Sequence, residues 1–435
     1  MPLSVQQVQE MAPDPASLAA GKKLAAAKHW KELGRSETAF WGLCQGSAVY
    51  QVKIELASLG YHCSCPSRKF PCKHTLGLLL IAAESEESLK SGAEPQWVGD
   101  WLARRQERTE KKAAKQAETE AKPVDEKAQA RRAEQRDSRV RDGLDRIELW
   151  MCDRVREGLA GLQTQPPTFW SEPTKRLVDA QAPGLAAWAA RWPELIGATS
   201  DWPRRLLADF GRLQLLIHAY RRLEQLDGQL QSDVRQLIGW SVPQEEVDRD
   251  GEKVEDQWVV IGQRIDDAER VRVQRSWIIG RTTNRTAMIL QFSAGGQPFS
   301  EVIAAGTQQQ AVVAYYPGAA KQRAKFTTRA GVESVHGQLP GGTTLGSLLD
   351  DTAERLAVQP WLNLFGYVIR DAVFIRHNDC WSLRDATGDA LPLGGNGLWK
   401  ALAVSGGAPC DVAVEWNGDQ LRALGFMSDG NYWSL

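Results

Sequence analysis

The sequence predicts an α+β protein in which helical and strand-rich regions follow one another along the chain. Strand-like alternation near the N-terminus leads into a helical pattern, and a long middle region shows helical periodicity only. Beyond the acidic segment from Glu245 to Asp256, short apolar runs between Gly, Asn and Pro turns indicate a β-rich and mixed C-terminal region. A chain of 435 residues is too long for one core, so several domains are expected.

Composition and charge are those of an ordinary globular protein. The hydrophobic content is 43%, and the formal net charge of -1 gives no overall attraction to nucleic acid or to anionic membranes. The polar segment from Met1 to Pro13 lacks the features of a secretory signal. The longest apolar run, Leu76 to Ala83, is too short to cross a bilayer, so we expect a cytoplasmic protein without membrane contact.

Two segments are predicted at the N-terminus. Residues 1–40 form a helical lead-in, in which the Asp14–Pro15 pair has the residue types of an N-cap and a first helical position. Residues 41–95 form a small ββα unit. Apolar side chains alternate from Tyr50 to Leu56, a second short strand follows, and Leu76 to Ala83 has helical spacing.

Four further segments follow along the chain, and the first of them is a charged linker rich in Ala, Gln, Lys, Arg and Glu. Because this linker has no apolar stripe to bury, we expect the N-terminal unit to fold apart from the rest. The four segments are the linker (100–142), a helical domain (143–244), a β-rich domain (257–345) and an α+β C-terminal region (346–435).

A cluster of Cys63, Cys65, Cys72 and His74 carries the chemistry of a metal site. Residues two apart on a strand point to the same side, so Cys63 and Cys65 can present both sulfurs to one ion. A short link with two prolines returns the chain to Cys72 and His74 at the start of a helix. Three thiolates and one imidazole complete a zinc tetrahedron without an open position, which predicts one structural Zn²⁺.

Other interpretations of these residues remain open. One is a set of plain buried thiols, and another is a disulfide between Cys63 and Cys72, which would leave Cys65 and His74 without a shared reason for their placement. His62 should face away from the cluster, because neighbouring residues of a strand alternate sides.

The motif resembles a known zinc module. Cys-x-Cys, a short gap and Cys-x-His is the pattern of the SWIM zinc finger, and Trp41 to Ser47 followed by Cys63 to His74 resembles one bacterial family of SWIM proteins. The resemblance implies zinc binding, with DNA or protein as the binding partner. Genes of that family often lie beside genes for MoxR-type AAA+ ATPases and von Willebrand factor A proteins, which the resemblance suggests as protein partners.

Three basic residues, Arg68, Lys69 and Lys73, surround the predicted site. They are candidates for contacts with phosphate or with a protein partner. Alternatively they offset the charge of about -1 that Zn²⁺ and three thiolates carry together.

No catalytic motif accompanies the finger. The glycine-rich segment Gly394 to Gly397 lacks the Lys-Ser/Thr of a phosphate loop, and it is interpreted as a turn. We therefore expect a non-enzymatic adaptor that binds protein partners through its finger. The alternative is DNA binding through the finger and the adjacent basic residues, and an enzyme within residues 250–435 is the third hypothesis.

Overall fold

The computed structural model describes residues 3–46, 48–57, 59–67, 69–107, 126–268, 271–294, 297 and 299–435. An N-terminal unit of helices and strands precedes a helical middle region, and the C-terminal region consists of two β-barrels with a few helices. This order confirms the predicted α+β class.

The N-terminal unit has a five-stranded sheet covered by three helices, with strand order β4-β3-β2-β1-β5. Ser4 and Gln7 form a capping box at α1, and Asp14 caps α2 by accepting from the Ser17 backbone N–H. The elements are α1 (Val5–Glu10), α2 (Pro15–Leu24), β1 (Trp30–Arg35), β2 (Ala39–Gln45), β3 (Val49–Glu55), β4 (Tyr61–Cys63), α3 (Lys73–Glu84) and β5 (Lys90–Ser91).

The ββα interpretation captured β3, β4 and α3 but missed β2, β5 and, earlier in the chain, β1. The lead-in expected to be helical over residues 1–40 contains this strand as well as two helices. The register of β1 with β2 shifts between Lys31 and Gly34, and Glu32 has a positive φ of 52°. Such an irregularity removes the period-two alternation by which a strand is recognised in a sequence.

Residues 96–107 form the next helix, α4, which packs on the sheet. Trp97 and Val98 contact Ala39 and Trp41 in a small apolar cluster. The buried Lys53 ammonium donates to the Trp97 carbonyl at 3.0 Å. The first part of the predicted linker, 100–142, therefore belongs to the N-terminal unit.

The rest of that predicted linker lies partly outside the described residues, at 108–125. Its last part is helical, because α5 runs from Glu126 to Glu157 and buries Val140 and Leu144 in the core of the middle region. The predicted linker is therefore not solvated throughout, because apolar residues at both of its ends pack on folded domains.

The middle region is a bundle of helices around a core of aromatic and aliphatic side chains. Trp150 stacks on Trp192 with ring centroids 5.6 Å apart, and Phe210 meets Trp192 edge-on at 4.9 Å. No helix among the described residues is long and apolar enough to cross a membrane. After α5 the helices are α6 (Pro167–Asp179), α7 (Pro183–Ala189), α8 (Trp192–Leu195), α9 (Trp202–Arg221), α10 (Gly228–Ile238) and α11 (Gln244–Asp250).

The first barrel is closed by five strands in the order β10-β8-β7-β6-β9, with β9 pairing β10. All neighbours are antiparallel except β8 and β10, which are parallel. The sequence predicts four of these strands but not the fifth, β10; the predicted runs are Trp258 to Ile265, Val271 to Ile279, Ala287 to Phe292 and Ala311 to Tyr316. The strands are β6 (Lys253–Ala268), β7 (Val271–Gly280), β8 (Thr286–Ala294), β9 (Thr307–Tyr315) and β10 (Arg323–Ser334).

The second barrel forms within a seven-stranded sheet that closes through the pairing of β12 with β15. Five strands make the ring β12-β13-β14-β16-β15, and β14 and β16 are parallel. Its elements are β11 (Gly342–Thr343), α12 (Leu345–Val358), β12 (Phe365–His377), β13 (Cys380–Arg384), β14 (Ala390–Gly394), α13 (Leu398–Ser405), β15 (Cys410–Trp416), β16 (Leu421–Ser428) and β17 (Asn431–Ser434).

Both barrels have the same connectivity. If the five strands are counted from the N-terminal one, each ring reads first, second, third, fifth, fourth and back to first, with the third and fifth parallel. This five-stranded Greek-key arrangement is that of the OB-fold. In the second barrel α13 connects the third and fourth strands. The described residues of the same connection in the first barrel, 297 and 299–306, form no helix.

The N-terminal unit packs on this end of the first barrel. Ala304 and Val332 belong to the hydrophobic core of the N-terminal unit. The buried Gln7 side chain donates to the Gly306 carbonyl at 2.7 Å and accepts from the Ser334 hydroxyl at 2.9 Å. The expectation of a unit that folds apart is therefore wrong. No local sequence pattern reveals a contact between residues so far apart in the chain.

Candidate metal centre

The four predicted ligands come together at one edge of the N-terminal unit. Cys63 ends β4, Cys65 follows it, Cys72 is the N-cap of α3, and His74 lies in the first turn of that helix. One ligand atom from each residue lies within 4.8 Å of every other. The register of β3 with β4 and the start of α3 together fix these positions.

The size of the cluster fits a zinc ion. The Cys63 Sγ and His74 Nδ1 atoms are 3.7 Å apart, and the Cys72 Sγ and His74 Nδ1 atoms are 4.0 Å apart. A tetrahedron with zinc–ligand bonds of about 2.0 to 2.3 Å has edges of about 3.5 to 3.8 Å. The donor set is that of a structural zinc site, and Nδ1 is the histidine atom that faces the sulfurs. All seven cysteines are free, so the disulfide alternative is not adopted.

Neighbouring side chains hold two of the ligands in place. The His74 ring stacks on Tyr50 with centroids 4.6 Å apart, and the Thr75 hydroxyl lies 3.4 Å from the Cys72 sulfur. Cys72 and His74 are only 3% and 5% exposed, so this half of the site is shielded from water. Such supporting contacts orient ligands and raise metal affinity. The sequence motif did not reveal Tyr50 or Thr75, because neither residue belongs to the ligand spacing.

The thiols differ in acidity before metal binds. A hydrogen bond from the Cys63 thiol lowers the pKa of Cys72 to about 3, against the effect of burial, and His74 and Thr75 act in the same direction. The same hydrogen bond, with burial, raises the pKa of Cys63. Since zinc binds thiolates, metal loading releases the proton that this pair shares.

Two nearby residues that could bind metal lie outside the cluster. His62 is exposed on β4, and it is absent from the group of converging ligand atoms. Cys44 is fully buried in the core of the N-terminal unit, where burial raises the pKa of its thiol to about 11. The placement of His62 agrees with the sequence analysis.

The basic residues near the site have different surroundings. Lys69 forms an ion pair with Asp14 at 2.9 Å and thereby lowers the pKa of that carboxyl to about 2. Lys73 is exposed at the first position of α3. The third predicted contact residue, Arg68, lies outside the described residues.

The loop that carries the ligands separates two open cavities. Toward α2 lies a groove of about 440 Å³, whose walls include Ala20, Tyr50 and Pro66. Toward the first barrel lies a cleft of about 510 Å³, lined on one side by Phe70 and on the other by Phe299. Sequence reasoning missed the cleft, because its two walls come from different domains.

Comparison with protein families supports this geometry. A family model for the SWIM zinc finger matches residues 50–83. The chain carries a SWIM zinc finger. A second family model, for the SWIM-associated four-helix bundle domain, matches residues 135–238 and so begins within the predicted linker. The search of curated proteins and the search of solved structures gave no match. The finger holds one structural zinc ion through Cys63, Cys65, Cys72 and His74.

Proposed function

We propose that this SWIM-finger protein is a non-enzymatic cytoplasmic adaptor that binds a protein partner through the loop holding the zinc. The observation that carries the proposal is the shape of that loop, which walls a cavity on each side. Its four ligands leave no position on the metal for a substrate or a water molecule. The zinc therefore stabilises a surface, and the surface does the binding.

Exposed apolar side chains mark this surface. Phe70, within the loop, is 42% exposed, and Val49, at the start of β3, is 56% exposed. An aromatic ring beside a cavity is the kind of anchor around which protein interfaces concentrate their binding energy. The cleft beside Phe70 is also large enough to receive side chains of a partner.

The partner that we propose is a MoxR-type AAA+ ATPase, or a von Willebrand factor A protein that works with it. This choice rests on the resemblance of the finger to the bacterial SWIM family. A cytoplasmic location is consistent with seven free cysteines and a zinc–thiolate site, which a reducing compartment favours.

DNA binding through the finger is the weaker alternative. It would use Arg68, Lys69 and Lys73 as phosphate contacts. Lys69 already has a carboxylate partner in Asp14, so a phosphate would have to compete with that ion pair. Three such contacts would give a log–log salt dependence with a slope of about -2.7 on duplex DNA.

The test uses the full-length zinc-loaded protein and the purified MoxR-type ATPase of the same genome, with binding measured by titration calorimetry. We expect Phe70→Ala to weaken binding about tenfold or more. The matched control is Val358→Ala on α12, a 52% exposed side chain far from the finger in the chain, which should leave affinity unchanged.

Three results would contradict the proposal. The first is a failure of the ATPase and of its von Willebrand factor A companion to bind at all. The second is binding that survives both Phe70→Ala and removal of zinc. The third is duplex DNA binding whose salt slope falls when Lys69 and Lys73 are replaced, which would favour the alternative function.

A further inference from the structure

The outer face of the first barrel, formed by β6, β7 and β8, is divided into two halves. One half is covered by the second barrel: Ile261 and Trp277 form one buried cluster with Val368, Ala413 and Leu424. The covered half holds the two barrels together. The second and third strands of an OB-fold form the face on which such barrels bind oligonucleotides.

The other half of this face is open and apolar. Phe292 on β8 is 57% exposed, and Val271 on β7 is 36% exposed. Val273 is the cross-strand partner of Phe292, and Ala294 is that of Val271, so all four side chains lie on the same face. We call this surface, together with Leu290, the open strip.

Arginines border the open strip where the two barrels meet. Arg264 and Arg275 are cross-strand partners, and Arg422 of β16 lies close to both. Asp266 accepts from Arg264 at 2.8 Å and from Arg275 at 2.6 Å, and Glu415 accepts from Arg275 at 3.2 Å. Three guanidinium groups thus share two carboxylates.

Arg422 is the cation in excess. Its side chain is half-buried and has no hydrogen bond to any residue that the structure describes. Burial and the positive charge of Arg264 hold the pKa of Arg422 below its usual value, although an arginine remains charged at neutral pH. An anionic ligand at this position would relieve the repulsion.

We propose that the open strip binds single-stranded nucleic acid, with a base stacked on Phe292 and a backbone phosphate held by Arg422. Phe292 lies diagonally across the ladder from Arg275, about 7 to 8 Å away. An exposed ring beside a cationic groove is the combination with which proteins bind single strands of any sequence.

A single strand fits better than an acidic peptide. Both satisfy the arginines, but a single strand supplies a flat base beside every phosphate, whereas an acidic peptide supplies a ring only where it carries an aromatic residue. The site lies on the barrel and not on the zinc loop. It is therefore independent of the proposed adaptor function, and either can fail without the other.

The test is fluorescence anisotropy of labelled dT20 and rU20 oligonucleotides with the full-length zinc-loaded protein. Phe292→Ala should weaken binding about fivefold or more, whereas Phe292→Tyr, which keeps the ring, should stay within about twofold. Replacing Arg422 by Gln should reduce the magnitude of the log–log salt slope by about 0.7, the contribution of one phosphate that is no longer neutralised.

Matched controls come from the second barrel. Trp399→Ala removes a 60% exposed aromatic ring from α13, and Arg384→Gln removes an exposed cation from β13. Neither should change the affinity. If a variant of the open strip fails to fold, hydrogen exchange of the wild type with dT20 decides instead, with slower exchange expected over β7 and β8.

Several outcomes would overturn the proposal. They are the absence of oligonucleotide binding by the wild type, unchanged affinity after Phe292→Ala, and unchanged exchange over β7 and β8 with dT20 present. Tighter binding of polyglutamate than of dT20, lost in Phe292→Ala, would assign the open strip to an acidic peptide instead.

Discussion

The two barrels have the same strand order, but different parts of the chain cover the corresponding end of each barrel. In the second barrel α13 connects the third and fourth strands, and Leu398 and Ala401 of this helix are buried in the barrel core. In the first barrel the described part of the same connection has no helix, and Ala304 and Val332 pack into the zinc-finger unit. The second barrel is covered by a helix of its own sequence, and the first barrel is covered by the zinc-binding N-terminal unit.

Because of this difference, zinc binding should affect the stability of the first barrel, which contains no metal ligand. Zinc binding contributes on the order of 10 kcal/mol to the folding of small zinc modules. Because the finger unit shares its core with the first barrel, part of that free energy should also stabilise the barrel. Among the described residues, the core of the second barrel contains no residue of the finger unit, so we expect a weaker dependence on zinc there. The finger unit is therefore expected to support the structure of the first barrel.

The largest effect should follow removal of a ligand. Cys72→Ser removes the thiolate at the start of α3, so zinc content should fall from about one per chain to near zero and the finger should unfold. Metal analysis and circular dichroism measure both changes. Cys152→Ser, at a half-buried free cysteine in the bundle, is the control and should retain zinc. Wild type that purifies without zinc but with its thiols reduced would refute the metal site.

The second prediction concerns helix α13, which covers one end of the second barrel. Leu398→Ala leaves a cavity under α13, and we expect a loss of about 2 to 5 kcal/mol in the unfolding free energy of this barrel, with zinc content unchanged. Hydrogen exchange of β15 and β16 measures it. The exposed neighbour variant Trp399→Ala should have little effect. Equal destabilisation of both barrels by Leu398→Ala would mean that α13 and the finger unit do not stabilise their barrels independently.

The third prediction concerns the contact between the N-terminal unit and the first barrel, where we expect a smaller loss of stability. Gln7→Ala removes the side-chain hydrogen bonds to the Gly306 carbonyl and from the Ser334 hydroxyl, together with the bond that Gln7 accepts from the Ser4 backbone N–H in the α1 capping box. Leaving these buried groups unpaired should cost about 1 to 3 kcal/mol and speed exchange at the start of β9 and the end of β10. Gln9→Ala, on the same helix and half-exposed, is the control. If both variants behave alike, Gln7 does not join the finger unit to the barrel.

The smallest effect concerns acid stability of the first barrel. Asp256 is buried, which acts to raise its pKa, but hydrogen bonds from Thr283 and the Thr282 and Gln257 backbone N–H groups lower it overall. A carboxyl with a lowered folded-state pKa contributes stability above its unfolded value of about 3.9, and this contribution is lost as pH falls.

Thr283→Val removes the hydroxyl that lies 2.7 Å from Asp256. The unfolding free energy at pH 7 should fall by about 1 kcal/mol, and the further loss between pH 5 and pH 3 should become smaller. Urea unfolding monitored at each pH tests this. An unchanged pH dependence would show that the Thr283 hydroxyl does not lower the pKa of Asp256.

The metal site could be predicted from sequence because it is local. All four ligands lie between Cys63 and His74, and strand alternation with the helix start places them together. The barrels could not be predicted in the same way. Their closure depends on the parallel pairings of β8 with β10 and of β14 with β16, which join strands that are not neighbours in the chain. No periodicity within a strand specifies such a partner.

The contact between finger and barrel was beyond sequence reasoning for a related reason. Gln7 and Gly306 meet because two complete domains pack together, and the residues at the contact carry no motif. The charged composition of residues 100–142 suggested separation, yet both ends of that segment pack on folded domains. Composition describes a segment on average, whereas a few apolar side chains decide where it docks.

Hydrogen exchange of the full-length chain after removal of zinc by a strong chelator tests the central claim most directly. We expect protection to be lost over Tyr50 to Ala83 and to weaken in β9 and β10 of the first barrel. Protection should be kept in β12 and β15 of the second barrel, because Leu398 and Ala401 of its own helix α13 complete it. If the finger exchanges freely while β9 and β10 keep full protection, the finger is an independent module and the first barrel does not depend on zinc.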